Sequence, residues 1–353
     1  MAEINTQNGK IADKESDKQC YVNPDDNHAF AKGVEHLVDP ISVGSLHFIQ
    51  QFNRLLPKPI QKMLVKSSSK TIPFMGFVVE PYSSFLFYEI TDIDQANELL
   101  PPGFKLVKTR AFEGDELKYY CIFGCFRAHT SAFWGVRSEF YIIAENEKTG
   151  LLSWVIVDYD TNTISYDEKN GLRGPNSSKS VVTINHRGTL FVEITRDDGS
   201  RKLAYDMNIE RGKMKSLDQR LWLEGNLSIG YGRNLSDNNA DVFSLKFEPC
   251  EVEKALEIPE DSLLLKSNTW YPGLFADKPS QVVCFPYAQH FVSDSPGSSS
   301  NLKNEEELIS AVKKINFDNI EVFSTKSFKT MFLLGILASL TTTIILIVLL
   351  ILK

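Results

Sequence analysis

The sequence predicts a mainly β protein of the α+β class, an antiparallel sandwich or closed barrel with few helices, followed by one C-terminal transmembrane helix. Three observations predict it. Short runs rich in aromatic and β-branched residues recur between Phe74 and Phe291, turn signals separate them, and Met331 to Leu352 contains no charge, proline or amide. The runs are Phe85 to Ile90, Tyr119 to Phe126, Glu139 to Ile143, Leu152 to Val157, Val181 to Asn185, Thr189 to Ile194, Leu227 to Tyr231 and Val242 to Phe247. Asn170-Gly171 and Asp198-Gly199 are turn dipeptides between them. So many strands with so few helices exclude alternating βα units.

Taken in order, residues 1–27 are rich in Asp, Asn, Lys and Gln and read as a disordered polar tail without the apolar core of a secretory signal. Residues 28–70 form an amphipathic helical segment. Within it Leu46, Ile49, Phe52, Leu55 and Leu56 recur at helical spacing, and Pro57 and Pro59 divide the pattern into two short helices. Its apolar face packs on the domain or lies on a membrane surface, the latter favoured by Arg54, Lys58, Lys62, Lys66 and Lys70. Residues 71–292 make the β domain. One helix interrupts it, Asp92 to Leu100, capped by Asp92 and stopped by Pro101, Pro102 and Gly103. Residues 293–325 begin with a Ser/Gly-rich linker and continue into a short helix, Glu305 to Ile315, acidic early and basic late.

Residues 326–353 carry the membrane segment. At 1.5 Å per residue, Met331 to Leu352 gives about 33 Å of helix, enough for the hydrocarbon core. Lys326 and Lys329 precede it and only Lys353 follows. The positive-inside bias therefore places the domain in the cytosol, as a single-pass protein with a C-terminal anchor and the lipid bilayer as its partner over 331–352.

A net charge of −7 with scattered basic residues excludes nucleic acid as a partner. Five cysteines at irregular spacing fit neither a disulfide framework nor a zinc site, and suit a reducing compartment. Cys121 and Cys125, four apart on one strand, are about 13 Å from each other and read as buried structural thiols. The six histidines show no ligand spacing, so no metal is expected. No phosphate loop or nucleophile elbow signals a cofactor, and none is expected.

FLFYEITDIDQANELLPPGFKL (Phe85 to Leu106) and FWGVRSEFYIIAENEKTGLLSWVIVD (Phe133 to Asp158) resemble the acetoacetate decarboxylase superfamily. The resemblance implies a cone-shaped antiparallel barrel around an apolar pocket over roughly residues 74–290. In its decarboxylating members a pocket lysine condenses with the ketone of a β-keto acid, kept neutral by a second lysine beside it. Here Glu168 and Lys169, within Tyr166-Asp167-Glu168-Lys169-Asn170-Gly171, occupy the places of that pair. Lys169 is the catalytic candidate, but a neighbouring carboxylate favours its charged form, the opposite of what imine chemistry requires. The strand position where a pocket acid would stand carries Cys121.

The densest group of recognition side chains is His129, Trp134, Arg137 and Glu139. Alternation puts Arg137 and Glu139 on one strand face. They form either an exposed ion pair on the barrel's flank, or a site where Arg137 holds a ligand carboxylate and Trp134 covers an apolar tail. Arg137, Glu139 and Trp134, with Cys121 and Tyr166, make up the candidate ligand contacts. The sequence thus points to a membrane-tethered domain binding a small amphipathic carboxylate, a fatty or keto acid. The alternatives are a decarboxylase-like lyase acting on a β-keto acid and a membrane scaffold or contact protein.

Overall fold

A computed structural model of the chain describes residues 28–40, 43–44, 56–61, 75–131, 133–167, 169–236, 242–293, 302–320 and 325–352. The expected tail at 1–27, most of the amphipathic pattern at 43–65 and the linker at 294–301 lie outside these residues. The strands are β1 (Met75–Val79), β2 (Ser83–Glu89), β3 (Phe104–Leu106), β4 (Lys108–Thr109), β5 (Lys118–Thr130), β6 (Trp134–Asn146) and β7 (Leu152–Thr161). They continue as β8 (Ser165–Asp167), β9 (Gly171–Arg173), β10 (Val181–Ile184), β11 (Thr189–Thr195), β12 (Lys202–Asn208), β13 (Lys213–Ser216) and β14 (Ile229–Tyr231). The last are β15 (Val242–Phe243), β16 (Leu245–Lys246), β17 (Lys254–Glu257), β18 (Leu263–Asn268), β19 (Gln281–Phe285) and β20 (Gln289–Ser293). The α-helices are α1 (Ala29–Leu37), α2 (Ile93–Leu99), α3 (Glu305–Lys313) and α4 (Thr325–Ile351).

The large sheet runs β13-β17-β19-β2-β5-β6-β7-β14-β15, and β5, being long, also pairs with β1 at its far end. β1 pairs with β20, and β20 with β16. Because β15 and β16 are separated only by Ser244, the pairing path from β5 through β6, β7, β14, β15/β16, β20 and β1 returns to β5. Its pairs are antiparallel except β7 with β14, which run parallel, a departure from the wholly antiparallel arrangement expected. A second sheet, β10-β11-β12-β18, lies over the outer face of the first.

Strand alternation divides the apolar residues between two cores. Inside the barrel lie Phe87, Tyr120, Ile122, Tyr141, Trp154, Ile156 and Phe285. Between the sheets lie Cys121, Phe123, Cys125, Phe140, Ile142, Val192, Tyr205 and Trp270. Helix α2 forms where its sequence signals place it: the Asp92 side chain accepts from Gln95 N–H at 2.9 Å, and Leu100 leaves the helix in extended backbone ahead of the two prolines.

Helix α1 buries Phe30, Val34 and Leu37, and the first two join Val78 of β1 and Val292 of β20 in a cluster on the outside of the barrel. Phe317 completes that cluster. Its ring lies edge-on to Phe30 at 5.8 Å, and a Cβ on Gly33 would sit 2.4 Å from it, so this close approach requires glycine. Leu308 of α3 is fully buried against the barrel's apolar cluster, and Asn304 caps the helix by accepting from Glu307 N–H at 2.9 Å. The short helix expected over Glu305 to Ile315 is α3, and the residues around it, 302–320, are docked on the domain. Only 321–324 separate them from α4, in which Leu333–Ile351, 19 residues, is long and apolar enough to cross a membrane.

Candidate functional site

The candidate site is built by β6 and β7. On β6, Arg137, Glu139 and Tyr141 alternate onto the inner face, so three consecutive inward positions are polar. Facing them, β7 carries a bulge: Tyr141 pairs with Ile156 but Phe140 pairs with Asp158, leaving Val157 as the extra residue. That insertion turns Asp158 outward and brings Tyr159 inward beside Glu139. Opposite Glu139 on β5 stands Gly124, where a Cβ would come within 2.9 Å of the Phe85 ring.

Arg137 Nε donates to one oxygen of Glu139, and the Tyr141 hydroxyl donates to the other. The Arg137 guanidinium also lies over the Tyr159 ring, 4.2 Å from its centroid. The Tyr159 hydroxyl donates to Asp167 Oδ2 at 3.1 Å and accepts from Ser165 Oγ at 2.9 Å. Arg173, on the partner strand of the β8–β9 hairpin, lies 3.5 Å from the same Asp167 oxygen and 5.5 Å from the centre of the Tyr159 ring. The arrangement runs from a buried Arg–Glu pair, through a tyrosine flanked by two guanidinium groups, to a second ion pair on a hairpin.

Burial governs the protonation of this group. It pushes the phenols of Tyr141, Tyr159 and Tyr231 upward, reinforced at Tyr141 by the Glu139 carboxylate and opposed at Tyr159 and Tyr231 by Arg137. At Arg137 burial disfavours the charge, but the Glu139 carboxylate and the hydrogen bond to it prevail and the guanidinium stays charged. The centre is not sealed: the side chains of Arg137 and Glu139 each retain 11% of their accessible surface. Farther along the barrel the space is filled by rings. Phe85, Trp154, Trp222 and Phe285 pack with centroids 5.1 to 5.9 Å apart, Trp222 being held on a π-helical turn, Arg220–Glu224, by its bond to Ala111 O.

Of the residues singled out in the sequence, Arg137 and Glu139 come together inside the barrel; the exposed ion pair on its flank is not what forms. Cys121 faces the inter-sheet core, on the other side of the sheet from them, and burial pushes its thiol well up. Trp134 is 47% exposed at the start of β6 and stacks against His129 with centroids 4.4 Å apart. Alternation along β6 puts it on the opposite face from Arg137. Tyr166 is half-buried and alternates away from Ser165 and Asp167, which join Tyr159. Lys169 is exposed in the β8–β9 turn, its Nζ donating to Arg233 O at 2.8 Å. Sequence reasoning missed Tyr141, Tyr159, Asp167, Arg173 and Tyr231. The Asn170-Gly171 turn was the available signal for the β8–β9 hairpin, and Gly171 does adopt the positive φ, 75°, that such a turn favours.

On the outer face of the same two strands a second charged network forms. Asp158 accepts from Arg201, whose guanidinium lies 4.7 Å from the Trp270 ring centre, and from the Tyr271 hydroxyl at 3.1 Å. Asp160, fully buried, pairs with Arg196 at 2.6 Å and accepts from Asn176 at 3.0 Å.

No family model and no curated protein matches the chain. Among solved structures, the acetoacetate decarboxylase of Legionella pneumophila is similar at 15% identity and a TM-score of 0.38, over 61% of this chain and 84% of that one. The enduracididine biosynthesis enzyme MppR is similar at 10% identity and a TM-score of 0.38, over 65% of this chain and 88% of that one. At that similarity neither bears on the chemistry of this site.

Proposed function

We propose that this is a membrane-tethered protein that binds a small amphipathic carboxylate, a fatty or keto acid, at the Arg137–Glu139–Tyr141 centre. One observation carries the reading. Arg137 and Glu139 lie two residues apart on one strand and face the barrel interior, and beyond that strand Arg137 reaches the Tyr159 ring of the adjacent β7 rather than a distant segment. Burying two charges costs several kcal/mol, and apolar side chains of similar volume would hold the barrel as well or better. A charged pair that ties together no more than neighbouring strands has little structural task and serves as a recognition group, and arginine suits a carboxylate by its planar fork of donors.

The tether is read from α4, and the cytosolic side from Lys326 and Lys329 against Lys353. A lyase working through an imine needs a lysine inside the barrel, and among the described residues no lysine is buried.

The test is calorimetry on the full-length protein in nanodiscs with hexanoate and 4-oxopentanoate. Saturable binding that is lost in Arg137→Met is expected, together with no mass added to any lysine by borohydride in the presence of acetoacetate. A protein that binds neither acid, or binds them equally after Arg137→Met, overturns the reading. A borohydride-trapped lysine would put the lyase in its place.

A further inference from the structure

Among the described residues, the charges of the centre balance before any ligand arrives. Among the described residues, the titratable and charged groups around Glu139 are Arg137 and Tyr141 on its own strand, Tyr159 from β7, Asp167 from β8, Arg173 from β9 and Tyr231 from β14. From β5 the residues paired nearest to it are Gly124 and Phe126, which bring no charge. Two guanidinium groups therefore face two carboxylates, with no positive charge in excess. A ligand carboxylate reaching Arg137 would place a third negative charge in a largely buried site, around a guanidinium that Glu139 already neutralises. Two carboxylates sharing one such place do not both stay ionised.

We infer that Glu139 is the internal counter-anion of Arg137, and that it takes up one proton from solvent when a ligand carboxylate replaces it on the guanidinium. This rests on the carboxylate-binding reading above. The exchange balances: the ligand brings one negative charge, the proton neutralises one on Glu139, and the centre's net charge is unchanged. Tyr141 makes the neutral form tolerable. Its hydroxyl donates to Glu139 in the free protein, and by rotating it can accept from the protonated carboxyl. Glu139 would then set specificity: a neutral ligand of the same shape finds Arg137 already engaged, whereas an acid displaces the internal carboxylate and binds with proton uptake.

The test uses the full-length protein in nanodiscs, with hexanoate as acid and hexanamide as its neutral counterpart. Binding is measured from pH 6 to 8, and calorimetry in two buffers of different ionisation enthalpy counts protons directly on the unaltered protein. Uptake of one proton requires the hexanoate Kd to rise about tenfold per pH unit. Glu139→Gln, which keeps the shape and removes the charge, is expected to bind hexanoate more tightly at pH 8 and to lose the pH slope. Hexanamide is expected to bind at least tenfold more weakly than hexanoate at pH 6. A pH-independent Kd with no proton uptake overturns the inference while leaving the binding reading intact. A slope that persists in Glu139→Gln also overturns it, because the proton would then reside on the ligand. Failure of both proteins to bind hexanoate at any pH overturns the binding reading itself, and the inference with it.

Discussion

The two faces of β6 and β7 bury charge in different ways. On the outer face, Asp158 and Asp160 of β7 receive Arg196 and Arg201 from the β11–β12 connection and the Tyr271 hydroxyl from a loop beyond β18. Each bond ties the large sheet to a distant part of the chain. On the inner face, Arg137 bonds a residue two places along its own strand and Tyr141 bonds the same residue from the other side. The reach of Arg137 beyond that strand is the Tyr159 ring of the adjacent β7, which its guanidinium covers. Buried charge that ties distant segments together is explained by the fold, whereas buried charge that stays among neighbouring strands is explained by what it does.

The comparison breaks most readily at Asp158. Replacing it by Ala leaves Arg201 without its carboxylate partner, and a loss of about 3 kcal/mol is expected in chemical unfolding of the full chain. A smaller effect is expected on the outside of the barrel, where α1 also joins distant segments. Gly33→Ala would drive a methyl into the Phe317 ring and cost about 2 kcal/mol. It should be read as faster proteolysis within residues 302–320, because the ring would leave α1.

The next effect is a pH dependence of the same junction. His290 on β20 contacts Glu251 through Nδ1 at 3.0 Å and Glu35 of α1 through Nε2 at 3.3 Å. Burial opposes charging of the ring, but the two carboxylates outweigh it and raise its pKa above the ordinary value near 6.5. A group whose pKa rises on folding stabilises fully below the unfolded value and loses that contribution as pH climbs through the folded one. Protection of α1 from hydrogen exchange should therefore fall as pH rises past the neutral range, by less than about 1 kcal/mol because Glu35 is more than half exposed. Glu35→Gln should flatten the change.

The smallest expected effect is the most discriminating. Replacing the inner group together, Arg137→Met with Glu139→Leu and Tyr141→Phe so that no buried hydroxyl loses its acceptor, should leave stability within about 1 kcal/mol of the unaltered protein or raise it. Chemical unfolding would show this, while hexanoate binding disappears. A loss as large as that from Asp158→Ala would make the inner pair structural after all.

Much of the barrel was legible because strands buried on both faces read as apolar runs: Phe85 to Ile90 and Tyr119 to Phe126 lie within or beside observed strands. Short strands such as β13 and β17 were not, since Lys213–Ser216 and Lys254–Glu257 are mostly partly exposed and carry no apolar run. That Arg137 and Glu139 share a face followed from alternation. That the face is the inner one did not, because a period of two cannot say which side closes around a core. Tyr159 was hidden by the bulge at Val157, which shifts the alternation of β7 midway and exchanges Asp158 for its neighbour. Lys169 drew attention by its place in a motif, yet the Asn170-Gly171 turn beside it leaves it in solvent.

The docking of residues 302–320 has a further consequence. From Ile320 to Thr325 the chain spans five peptide steps, which reach at most about 18 Å. With α4 in a bilayer, the barrel would hover within a molecular diameter of the lipid headgroups and could not roam the solution beyond. An amphipathic acid partitions into that same thin layer, where its local concentration far exceeds its concentration in bulk water. A modest intrinsic affinity would then suffice to keep the site occupied, and the composition of the membrane beneath the protein would set its occupancy.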